Sequence, residues 1–92
     1  MKTIKEKKQE LPTWFDGTVY EEGAVVENPF TGVECELNNI ELSMYDFVMG
    51  CSMVMEQIGA WNPKTTDLQK HMADGLHWFR VHNPSAYMDL LD

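Results

Sequence analysis

The sequence predicts an α+β fold, an N-terminal antiparallel β-hairpin packed on two to three C-terminal helices. Three observations predict it. Val33-Glu34-Cys35-Glu36-Leu37 alternates apolar and acidic residues, the period of a strand with one face in water. Asn28-Pro29-Phe30-Thr31-Gly32, just before it, is the strongest turn signal in the chain: proline presets φ and glycine accepts a positive φ. After Leu42 the period changes, and Phe47, Val48, Cys51, Val54, Met55 and Ile58 form one helical stripe.

The elements follow in order. Residues 1–10 are a polar, lysine-rich segment expected to be a mobile tail, leaving 11–92 as a single small domain. Trp14 and Phe15, in the apolar patch after Pro12, are expected to pin that tail to the core. Asp16-Gly17 is a turn pair, and Thr18-Val19-Tyr20 is a candidate third strand. Glu21-Glu22-Gly23 turns the chain into Ala24-Val25-Val26-Glu27, a strand rich in β-branched residues. With a loop over 28–32, residues 24–37 complete the hairpin, its inner face formed by Val33, Cys35 and Leu37.

The first helix is expected over 43–58, capped by Ser43 with Asp46 as its reciprocal partner and stopped by Gly59. Met44, Met49 and Met53 widen its apolar stripe almost all round. Such a helix is expected to be buried on most sides, either centrally or against a second subunit. Thr66 and Gln69 suggest a capping box for a helix over 67–82, with Leu68, Met72, Leu76 and Phe79 inward and Gly75 allowing close approach. Asn83-Pro84 restarts a short helix to Leu91, with Asn as cap and Pro in the first turn.

Charge narrows the function classes. Residues 1–8 hold four lysines against Glu6, net +3, whereas residues 9–92 hold three basic residues against fourteen acidic ones, net −11. A body of that sign repels phosphate backbones, so direct nucleic-acid binding by it is not expected. Solubility accounts for the acidity; the sharper alternative is an acidic decoy for a nucleic-acid-binding enzyme. No apolar run suits a membrane span or follows Lys8 as in a secretory signal, so a cytoplasmic location without membrane association is expected. In that compartment Cys35 and Cys51 are expected to be reduced, buried thiols rather than a disulfide.

No constellation of chemistry stands out. His71, His77 and His82 are spaced by six and five, where no pair shares a helix face well, and no CxxC or HxxxH occurs. No metal or cofactor is therefore expected. Cys51 falls on the apolar stripe, where burial raises a thiol pKa and quenches its reactivity. Glu34 with Glu36, and Glu21 with Glu22, lie at solvated strand and turn positions, unlike a general acid in an apolar pocket. They suit edge charges that discourage strand-to-strand aggregation. The remaining candidates are surfaces. Trp78 points off the inward stripe of Phe79 and is either part-exposed or a core residue capping the hairpin; it joins Met49, Met53 and Trp61 as the candidate interface.

Leu11-Pro12-Thr13-Trp14-Phe15-Asp16-Gly17, Asn28-Pro29-Phe30-Thr31-Gly32, Glu41-Leu42-Ser43-Met44-Tyr45-Asp46, Trp78-Phe79, Asn83-Pro84 and Ala86-Tyr87-Met88 together resemble a group of small uncharacterised proteins encoded by marine bacteriophages, cyanobacterial phages among them. The resemblance spans most of residues 11–92. It implies a bacterial host cytoplasm and an accessory role, and supplies no activity or catalytic residue. The expected function is a non-enzymatic protein-interaction module that self-associates or binds a host or phage protein.

Overall fold

The computed structural model describes residues 9–59 and 61–91. Two strands, β1 (Ala24–Glu27) and β2 (Glu34–Leu37), precede three helices, α1 (Asn39–Ile58), α2 (Lys64–His82) and α3 (Pro84–Leu90). The strands form one antiparallel hairpin with Ala24 opposite Leu37, Val25 opposite Glu36, Val26 opposite Cys35 and Glu27 opposite Glu34. The α+β architecture is thus the one the sequence predicts. The loop covers six residues rather than five, because Val33 serves the turn: its carbonyl accepts from Asn28 N (2.8 Å) and its N–H donates to Thr31 Oγ1 (3.2 Å).

The core lies where α1 crosses α2 and where α3 and β2 close its end. Leu37, Met44, Val48, Trp78, Phe79, Ala86 and Leu90 make up its buried cluster. Gly75 permits the crossing. A Cβ there would stand 2.8 Å from Val48 Cγ2 and 3.2 Å from Met44 Sδ. Gly23 serves the hairpin base in the same way, since a Cβ on it would collide with the Leu37 carbonyl.

Four further boundaries and the burial pattern of α1 differ from the expectation. Thr18-Val19-Tyr20 is not a third strand, as the sheet has two. Its backbone is satisfied by α1 instead: Tyr20 N donates to Ser43 Oγ (2.9 Å), and Asn39 Nδ2 donates to the Tyr20 carbonyl (3.3 Å). The first helix starts at Asn39 because a better capping box lies upstream. Asn38 Oδ1 accepts from Glu41 N (2.8 Å), and Glu41 Oε1 accepts from Asn38 N (3.1 Å). Ser43 is therefore inside the helix, one turn beyond its start, donating back to the Asn39 carbonyl (2.8 Å). The second helix starts at Lys64 without Thr66 as cap, because Asn62 turns the chain earlier, its Oδ1 accepting from Lys64 N (2.9 Å). Residues 9 and 10, expected in the mobile tail, are bonded to the body: Gln9 bonds Glu41 and Asn38, and the Glu10 carbonyl accepts from Trp78 Nε1 (3.0 Å). The rest of the expected tail, residues 1–8, lies outside the described residues. Finally, α1 is not buried on most sides. Met44, Val48 and Cys51 are buried, while Met49, Met53 and Val54 face water. The α3 start holds as read, Asn83 Oδ1 capping Ala86 N (3.1 Å).

Candidate functional site

The four candidate interface residues part company. Trp78 is 7% exposed, not part-exposed. Its indole N–H is spent on Glu10, its ring stacks on His82 (centroids 4.3 Å apart) and meets Phe79 edge-on (6.2 Å). The segment around residue 10 covers the side of α2 that the helical period left open, so Trp78 is core. Trp61, between α1 and α2, is 98% exposed. Met49 and Met53 are exposed one helical turn apart on α1, with Val54 beside Met53. These residues leave a methionine-rich strip on the outer side of α1 and an uncovered indole shortly after its end.

The groups capable of chemistry are placed against it. Cys51 is buried, and burial pushes its thiol pKa up. Burial does the same to the half-buried Cys35, reinforced by the negative charges of Asp89 and Glu41. Both effects favour the unreactive thiol. His71 stacks flat on Trp14 (centroids 5.8 Å, planes 5° apart), and His82 Nδ1 lies 2.8 Å from the Trp78 carbonyl. Among the described residues, no group of three or more His, Cys, Asp or Glu side chains is arranged to hold a metal ion. An open cleft of about 400 Å³ between Pro12, Trp14 and α2 has His77 and Asp74 on its walls. Asp74 accepts a surface ion pair from Lys70 (3.2 Å).

One buried carboxylate escaped the sequence reading. Glu41 is 6% exposed, and its Oε2 accepts from Gln9 Nε2 (2.8 Å) and Asn83 Nδ2 (3.1 Å). With Asn38 bonded to Oε1, this one side chain joins the N-terminal segment, the α1 cap and the α3 cap. All its partners are structural, so it is a staple. The signal was present: Asn38 and Glu41 have capping-box spacing, masked by the competing Ser43–Asp46 pair.

The other residue missed is Phe30. It occupies the hairpin tip and is 94% exposed. The tip is braced from inside by Asn28, 8% exposed, whose Oδ1 accepts from Phe30 N (2.8 Å) and Thr31 N (3.3 Å). Asn28 Nδ2 donates to the Asp89 carbonyl in α3 (2.9 Å), and Asn28 O accepts from Gly32 N (2.8 Å) at a φ of 79°. Below the tip, the solvent face carries Val25, Glu27, Glu34 and Glu36, all exposed. The sequence held a clue in an aromatic residue at the centre of a turn, where little inward space exists for a ring.

No helix among the described residues is long and apolar enough to cross a membrane. Comparison with protein-family models, with curated proteins and with solved structures finds no match to this chain.

Proposed function

We propose that the protein is a non-enzymatic interaction module whose contact face is the outer side of α1 with Trp61. The observation that carries this reading is the pair Met49 and Met53, exposed on a helix whose other side is packed, with Trp61 uncovered beyond the helix end. Methionine adapts to irregular partner surfaces, and tryptophan is among the residues enriched as anchors of protein interfaces. The leading partner is a second copy of the chain; a host or phage protein is the alternative, supported by the resemblance to phage-encoded proteins. That resemblance also supports a bacterial cytoplasmic setting. Both reduced-reactivity thiols and a cleft whose carboxylate is engaged by Lys70 support the non-enzymatic part.

The test is to compare the wild-type chain with Met53→Glu and Trp61→Ala in sedimentation velocity over a concentration series. Met53 and Trp61 are solvent-exposed, so both variants are expected to fold, and association is expected to weaken. A partner-free monomer at every concentration removes self-association. Unchanged association by the variants removes this face.

A second reading is the acidic decoy. It is favoured by the absence of any lysine or arginine over residues 9–63, a span containing ten aspartates and glutamates. It expects binding to a basic protein that weakens steeply with salt, and binding insensitive to salt overturns it.

A further inference from the structure

The hairpin tip carries an inference of its own. We propose that Phe30 is the anchor of a second docking surface, which inserts into an apolar socket rimmed by lysine or arginine on a partner protein. The inference rests on the acidic reading of the charge and adds to it the anchor, its geometry and the partner's chemistry.

Three features carry it. The first is that Phe30 is 94% exposed although the loop beneath it is firmly built. Asn28 is buried, receives both Phe30 N and Thr31 N on its side-chain oxygen, and ties the loop to the Asp89 carbonyl. An aromatic ring on a braced turn loses little freedom on binding, which is the condition for an efficient anchor. The core does not need this ring, since it touches water over nearly its whole surface.

The second feature is the charge around the anchor. The closing pair of the hairpin is Glu27 opposite Glu34, and the next acid along β2, Glu36, lies opposite Val25 on the same face. Like charges directly opposite on an antiparallel pair disfavour the hairpin. Stability alone therefore does not call for them there. A cationic rim on a partner relieves that repulsion while the ring is buried.

The third is that no lysine or arginine among the described residues neutralises these acids. None of the described residues Glu27, Glu34 and Glu36 has an ion pair with a lysine or arginine, and the nearest such residue along the described chain is Lys64. Val25, on the same face as the three acids, is itself 61% exposed. The chemistry is that of an interface with an aromatic centre and a charged rim, the rim setting partner sign and approach rate.

The test is a selection of random displayed peptides on the immobilised full-length chain, followed by binding measurements with Phe30→Ala and Glu27→Gln/Glu34→Gln. Selected peptides are expected to combine lysine or arginine with an aromatic or branched aliphatic residue. Phe30→Ala is expected to weaken them about tenfold or more, as loss of an interface anchor does, with its circular dichroism unchanged. The Glu27→Gln/Glu34→Gln variant is expected to reduce both affinity and its salt dependence. Basic peptides that bind Phe30→Ala as well as the wild type overturn the anchor but leave the acidic reading standing. Peptides without a cationic bias, or no enrichment, overturn both. Met53→Glu is expected to leave the selected peptides bound; if it releases them, the hairpin is not the surface.

Discussion

Glu41 shows at the residue scale how this small chain closes itself. Its two oxygens accept from Asn38, Gln9 and Asn83, joining three parts of the chain that are remote in sequence. Glu41→Ala leaves these donors without their acceptor near the protein interior. It is expected to lower the free energy of unfolding by about 2–3 kcal/mol, measured by urea denaturation. Lysine or arginine plays no part in the bonds observed at this carboxylate, so the effect is expected to persist in high salt.

The thiols give a second expectation at this scale. Cys51 is held up by burial, and Cys35 by burial first and then by Asp89 and Glu41. In native protein, alkylation by iodoacetamide is expected to be slow at both, Cys35 reacting before the more deeply buried Cys51, with the difference vanishing on unfolding. The sign for stability follows from the direction of the shift. Below the ordinary thiol value of 9.0, folded and unfolded chains both keep their protons. Above it the unfolded chain ionises first, so stability is lost from there until the raised folded-state values are passed. Tyr20, raised mainly by the charge of Asp46, and Tyr45, raised by burial, extend the loss to higher pH. Thermal melts between pH 8 and the alkaline range are expected to show a falling midpoint; a flat or rising one contradicts this reading of the thiols.

At the scale of elements, two glycines in helices separate packing from propensity. Gly75→Ala pushes a methyl into Val48 and Met44, both fully buried, and is expected to cost about 1–3 kcal/mol through overpacking. Gly50→Ala meets nothing within 4 Å and is expected to stabilise by about 0.5–1 kcal/mol through helix propensity. Chemical denaturation of the two variants checks both signs. The hairpin offers a third comparison. Glu34→Lys converts the Glu27–Glu34 repulsion into attraction and is expected to add about 0.2–1 kcal/mol, read from the same denaturation curves.

The elements also show how far the sequence was legible and why. The hairpin was readable because its alternation and turn residues are local signals. Gly59 and Asn83-Pro84 were readable as helix ends for the same reason. The starts of α1 and α2 were not, because two capping boxes with caps five positions apart competed and Asn62-Pro63 began α2 before Thr66 could. The fate of residues 18–20 depended on Ser43 and Asn39, partners that no local pattern announces. Among the candidate surface residues, Met49, Met53 and Trp61 are exposed as an interface requires. Trp78 failed because the chain segment covering it is 68 positions away. Helical period indicates which side of α2 meets α1, but not which third segment returns to cover the other side.

At the scale of the whole molecule, the two proposed contact surfaces sit on different elements. The hairpin carries the acidic face and Phe30, whereas α1 and the turn after it carry Met49, Met53 and Trp61. With the α1 face holding a copy or another protein, the hairpin tip remains available for a basic partner. The two contacts are expected to respond differently to salt. Apolar burial at α1 is little affected or strengthened by it, and the hairpin contact is weakened.

The most direct measurement is sedimentation velocity of the untagged chain across a wide concentration range, alongside Met53→Glu with its fold confirmed by circular dichroism. A concentration-dependent dimer or higher species in the wild type, shifted toward monomer by Met53→Glu, is the expected result. A wild-type chain that stays monomeric throughout, or an oligomer that Met53→Glu leaves untouched, contradicts self-association through the outer face of α1.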